Sequence, residues 1–116
     1  MEKCNSCKIV FPKAMISQPM LNAVSEEEIL KVKARATKAL EEMGYDVVNT
    51  YFDDETEEDM KARGVVNIPI AFMARSLEKM AECQAIYFCR GWEERGGCRI
   101  EHEVAESYGL NIFYEL

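Results

Sequence analysis

Glu101 is the acid most out of place in this sequence. At about 100° per residue, a helix over 98–108 puts Ile100, Val104, Ala105 and Tyr108 on one arc, and Glu101 falls inside it. His102, Glu103 and Glu106 fall on the opposite, polar side. Burying a carboxylate costs free energy unless it has partners or a task. The first turn of a helix softens that cost, because free backbone N–H groups and the helix dipole favour negative charge there. The pattern leaves two roles open: an acid that meets a ligand, or one that caps the helix or pairs with a buried Arg.

Other chemistry-bearing residues gather just upstream. Gly91, Gly96 and Gly97 make the segment before this helix a glycine-rich loop. Arg95 and Arg99 flank its glycine pair, and with free N–H groups at a helix start they suit an anion such as phosphate; the alternative is two surface arginines. Trp92, the single Trp, either stacks on a planar ligand or covers the edge of the core. Glu93 and Glu94 are acids of the same loop, to be read as proton donors if their pKa values are raised and as solvated acids otherwise. Asn49, Tyr51 and Asp53 end an earlier strand, with Tyr51 read as a core residue, and Asn67 and Pro69 shape a lid. Cys4-x-x-Cys7 has zinc-ligand spacing, but no second pair follows at the usual distance. Cys98 and His102 are four apart, yet His102 points to the polar side. No metal is expected.

These residues need elements to position them. Lys13 to Ser17 reads as a buried strand, and 17–22 as the loop that leaves it. Ser25 and Glu28 form a capping box for an amphipathic helix over 26–43, with Ile29, Val32, Ala36, Leu40 and Met43 at helical spacing. Gly44 stops it. A second strand covers 46–52. An acidic stretch over 53–63 admits a short helical turn and either covers the site or is a solvated excursion. Asn67-Ile68-Pro69 opens another helix, striped by Ile70, Met73, Leu77 and Met80. Ala85 to Cys89 is a continuous apolar run, as a central parallel strand requires. The last helix ends at Gly109, and Asn111 to Tyr114 is a final strand. Strands that alternate with helices predict a three-layer, doubly wound parallel sheet of four to five strands, flavodoxin- or Rossmann-like, in one domain over 1–116. Ligands of such sheets bind beyond the carboxyl ends of the strands, where segments 17–22, 50–55 and 89–101 should meet.

Composition narrows the partners. The 116 residues carry a net charge of -7 and no basic cluster, which argues against a nucleic acid polymer. A hydrophobic share of 48% is enough for a core, yet no run is long enough to span a bilayer. The N-terminus lacks a secretory signal, and five dispersed Cys suit reduced thiols. A cytoplasmic protein is expected. The Met residues, mostly at core spacings, fill gaps.

The segment from Gly91 to Ala105, GWEERGGCRIEHEVA, resembles the nucleoside 2-deoxyribosyltransferase superfamily, and most of all a group of small bacterial and phage proteins within it. The family pattern is a strand, a Gly-containing loop and a helix opening with Gly-x-x-x-Glu and an Ala four residues later, here Gly97, Glu101 and Ala105. Ile16-Ser17-Gln18-Pro19-Met20 is similar to the family's first strand and ligand loop, and the segments from Gly44 to Asn49 and from Ser76 to Met80 are similar to the small subgroup. The resemblance implies that Glu101 is a nucleophile at C1′ of a deoxyribosyl group, as in a retaining glycosidase. It implies a nucleoside or nucleotide ligand held by Ser17, Gln18, Pro19, Met20, Asn49, Asp53 and the loop residues Gly91, Trp92, Arg95, Gly97, Cys98 and Arg99. It implies no cofactor, and a homo-oligomer whose subunits complete the pocket. At one place the chain departs from the family, which often carries an Asp near the start of the strand before the loop. Gln84 stands here and cannot exchange a proton, which moves proton transfer to Glu93 or Glu94, with Glu94 taken as the acid. The alternative function is a non-catalytic protein that binds a nucleotide or a nucleotide-derived signal.

Overall fold

Short apolar runs and well-capped helices alternate along the chain. The structure, a computed structural model, describes residues 11–19, 25–48 and 55–116. The order is β1 (Lys13–Ser17), α1 (Glu26–Glu42), β2 (Asp46–Val47), α2 (Glu57–Ala62), α3 (Ile68–Met80), β3 (Ala85–Phe88), a 3-10 turn (Trp92–Glu94), α4 (Gly96–Tyr108) and β4 (Asn111–Tyr114). The four strands form one sheet in the order β2-β1-β3-β4, and every pairing is parallel.

Alternation along the strands builds two cores, one per face. Ala14, Ile16 and Ala85 turn to Ala36 and Leu40 of α1. Met15, Ile86 and Phe88 turn to Met80 at the end of α3 and Ala105 of α4. The helices therefore cover both faces, α1 on one and α3 with α4 on the other. This is what right-handed crossovers require when the chain runs outward from β1 to β2 and then back across β1 to β3.

Local chemistry explains the helix boundaries. The Ser25 hydroxyl accepts from Glu28 N at 3.2 Å, the expected cap of α1. The reciprocal capping box is found at α2, where Thr56 and Asp59 exchange hydrogen bonds, so the acidic stretch holds a true helix. The Asn67 side chain accepts from Ile70 N at 3.0 Å, and Pro69 sits in the first turn of α3. Both act as helix-start residues.

Three expectations need correction. The last helix begins at Gly96, two residues before the expected start, because the glycine pair joins the helix instead of the loop. Its buried face is Cys98, Glu101 and Ala105, whereas Ile100 is 48% exposed and Tyr108 80% exposed; the inward arc is centred on Glu101 itself. Ile70, expected in the stripe of α3, is 64% exposed. Residues 49–54, which include most of the expected second strand, lie outside the described residues.

Candidate functional site

The strand order reverses between β1 and β3, and a crevice outside their carboxyl ends is where a doubly wound sheet binds ligands. Ser17 closes β1 and pairs in register with Phe88 at the end of β3. Its carbonyl accepts from Cys89 N at 3.0 Å. Because Met15 faces α3 and α4, Ser17 two residues on faces them too. There its hydroxyl donates to Glu101 Oε1 at 2.7 Å. Both groups are buried, with Ser17 2% and Glu101 7% exposed.

The Glu101 pKa is raised above its ordinary value of 4.5. Burial is the largest cause, and the hydroxyls of Ser17 and then Ser76 oppose it. The helix dipole gives less help than the sequence suggested. With α4 starting at Gly96, Glu101 is the sixth residue of the helix, and no acid lies in the first turn. The dipole effect falls off within that turn, so burial of the charge wins.

Glu101 opens onto a cleft of about 240 Å³. Gln18 and Pro19 form one wall, Met73 of α3 another, and Arg95, Gly97 and Cys98 at the start of α4 close the end. Arg95 is the N-cap residue of α4 and gives no side-chain cap, so the first N–H groups of the helix are free of the protein caps seen on α1, α2 and α3. The Arg95 Nε is buried and has no hydrogen-bond partner. Free N–H groups beside a guanidinium make a site that favours an anion. Cys98 is buried with its thiol pKa raised, mainly by desolvation, with the Ser17 hydroxyl pulling the other way. A second cleft of about 220 Å³ lies across the Gln18–Pro19 wall, bounded by Arg35, Cys89, Arg90 and Glu115 among others. Glu115 ion-pairs with Arg35 at 3.3 Å and accepts from Arg90 N at 2.9 Å, so its charge is internally balanced.

The structure thus brings together Ser17, Gln18, Pro19, Arg95, Gly97, Cys98 and Glu101. The other expected residues have different surroundings. Glu93 and Glu94 are exposed on the 3-10 turn and do not line the cleft. Arg99 is exposed and donates to Glu93 O at 2.8 Å, which pins the turn to the helix. Gly91 takes φ +90° at the head of that turn, a left-handed conformation that favours glycine. Trp92 packs on Phe88 and joins the core of that face, the edge-covering role. His102 is not a free polar-face residue: it stacks on Trp92 at 4.2 Å and shares a 2.6 Å hydrogen bond with the Tyr114 hydroxyl. Met20, Asn49, Tyr51, Asp53, Cys4 and Cys7 lie outside the described residues.

Gln84 turns out to be remote. It precedes β3, at the opposite end of the sheet, and its Oε1 accepts from Lys13 N at 2.7 Å at the start of β1. The four residues of β3 separate it from the cleft, roughly 13 Å at 3.3 Å per residue. Its identity therefore does not bear on the chemistry at Glu101. Two residues were missed, Ser76 and Met73, both on α3. The signal was available for Ser76: it follows Met73 by three and precedes Met80 by four, so it is a lone hydroxyl on an apolar stripe, the same anomaly that marks Glu101.

Among the described residues no helix is long and apolar enough to cross a membrane, and no three His, Cys, Asp or Glu lie close enough to hold a metal ion. No curated protein and no solved structure matches the chain. A family model does match, over residues 16–114, a span that contains the end of β1, every cleft-lining residue and β4. The chain therefore belongs to the family described as Domain of unknown function (DUF4406).

Proposed function

We propose that this protein breaks the N-glycosidic bond of a nucleoside or nucleotide, with the Glu101 carboxylate as nucleophile. The observation that carries the reading is a buried carboxylate, held by the Ser17 hydroxyl at 2.7 Å, that opens onto a cleft at the reversal point of a parallel sheet. A Glu held by a helix and a second hydrogen bond has few rotamers left, so it can be aimed. Resemblance of Gly97, Glu101 and Ala105 to the nucleoside 2-deoxyribosyltransferase pattern supports the same chemistry.

The step runs as in a retaining glycosidase. A Glu101 oxygen forms a bond to C1′ while the C1′–N bond breaks, and the base leaves with the electron pair and takes up a proton. Water or a second base then attacks C1′ and frees the carboxylate. Positive charge that develops at C1′ offsets the cost of the buried anion, so the carboxylate is better stabilised in the transition state than in the empty cleft. The open cleft admits water to supply that proton, since Glu94 lies outside its lining. The uncapped start of α4 with Arg95 favours a nucleotide over a nucleoside. Incubation with a panel of deoxynucleosides and deoxynucleotides, followed by chromatography for free base, tests the proposal. Equal, slow base release by the wild type and Glu101→Ala would refute it.

One observation favours a second reading, a non-catalytic nucleotide-binding protein: Glu101 is the single carboxylate among the described residues that line the cleft. A nucleotide that raises the melting temperature and is recovered intact supports this reading. Under either reading we propose a homo-oligomer, supported by the exposed Ile70 and Ile100 on the two helices beside the cleft. Sedimentation that finds only monomer at micromolar concentration contradicts it.

A further inference from the structure

We propose that Met73 sets the size of the base that the cleft accepts, admitting a single-ring base and excluding a fused two-ring base. The inference rests on the nucleoside or nucleotide reading above and adds a specificity-determining residue to it.

The cleft divides by chemistry. Glu101, Cys98, Gln18 and Arg95 are its polar and charged lining, and Pro19 and Met73 are its apolar side chains. A sugar whose C1′ rests on Glu101 places its hydroxyls among the polar groups. The flat apolar faces of a base are left to Pro19 and Met73, as apolar ligand faces generally are. Space there is short: about 240 Å³ is below the roughly 300–1,000 Å³ of sites that enclose drug-sized ligands.

The end of the Met73 side chain also lies against the start of α4. A Cβ built on Gly97 would lie 3.1 Å from Met73 Cε. The terminal methyl therefore rests directly on the backbone at the start of α4, in the space that any other residue at 97 would fill. Glycine at the head of the Gly-x-x-x-Glu motif is what lets Met73 reach over the cleft. Both positions can be perturbed. Met73→Ala removes the wall and widens the cleft. Gly97→Ala displaces the methyl from its seat on α4 by a few tenths of an ångström.

The test compares deoxycytidine and deoxyguanosine 5′-monophosphates on the wild type, Met73→Ala, Met73→Leu and Gly97→Ala, with kcat/KM from base release, or Kd by calorimetry where the nucleotides bind intact. The wild type is expected to prefer the single-ring nucleotide. Met73→Ala should lower that preference about tenfold, the scale of a small misfit in an apolar pocket. Met73→Leu, of similar volume, should preserve it, which separates wall loss from misfolding, and Gly97→Ala, which displaces the same methyl, should shift it. A wild-type preference for the two-ring nucleotide, or a ratio unchanged within about twofold in Met73→Ala, overturns the inference and leaves the proposed function standing. Neither turnover nor binding of any nucleoside or nucleotide by the wild type overturns both.

Discussion

Replacing Glu101 by Gln should make the protein more stable, and the gain should depend on pH. Gln keeps the volume of the side chain and an oxygen to accept from Ser17; its amide can donate to the Ser76 hydroxyl. What it removes is the buried charge. An ion taken from water into a protein interior costs several kcal/mol after relaxation. Two hydrogen bonds to a charged group return about 1.5–3 kcal/mol each. The raised pKa of Glu101 says that the cost exceeds the return. Each unit by which the pKa is raised adds about 1.4 kcal/mol to the gain at pH 8, or roughly 4–8 °C in Tm for a chain of this size. The sign with pH is fixed by linkage. An acid whose folded pKa lies above its unfolded value binds more protons when folded, so the wild type loses stability as pH rises from 4.5 through the folded pKa. The variant should therefore lead most above that pKa and converge on the wild type near pH 4.5. Urea unfolding of both proteins across pH 4.5–8.5 measures this. A variant that is less stable throughout, by a constant margin, would refute the picture of a carboxylate held against its own desolvation and would make Glu101 a structural partner.

Ser17→Ala should destabilise the protein by about 1.5–3 kcal/mol at neutral pH, because a buried carboxylate loses its charge-assisted bond; urea titration reads it, and the loss should shrink as the carboxyl protonates. His102→Ala should cost about 1–2 kcal/mol through the lost stack on Trp92 and the lost bond to Tyr114, with a red-shifted Trp fluorescence maximum that reports exposure of the ring. Desolvation pushes the Cys89 thiol up to about 12 and the Cys83 thiol to about 11, so neither should react with a thiol-disulfide reagent at pH 8 until the protein is unfolded, as peptide mass mapping would show.

The layer order was legible because its signals are local. Ala85 to Phe88 is apolar throughout, as a strand covered on both faces must be, and Ser25, Asn67 and Gly109 mark helix ends by their own backbone chemistry. Glu101 was legible because one charge on an apolar face stands out. The phase of α4 was harder: Ile100 and Tyr108 looked inward because the wheel rewards apolarity, but Cys98 and Ala105, small enough to let the helix approach the sheet, decide which side is buried. The remoteness of Gln84 was legible too, since it precedes its strand while the site of a parallel sheet lies beyond the carboxyl ends; the pairing of Lys13 with Asp46 and of Ala14 with Ala85 places it at the far end. The motif says that position 97 is glycine, but only the packing of α3 shows that Met73 occupies the space beside it.

The bond between Ser17 and Glu101 joins positions 84 apart in sequence. A hydrogen bond across so long a loop forms late, after β1, β3 and α4 have all found their places. A nascent or clipped chain that lacks α4 has no site at all, and one that holds both residues in a loosened core has the carboxylate back in water. Any ligand binding that depends on Glu101 is therefore a probe of the finished fold, and it should disappear in step with global unfolding and not before it.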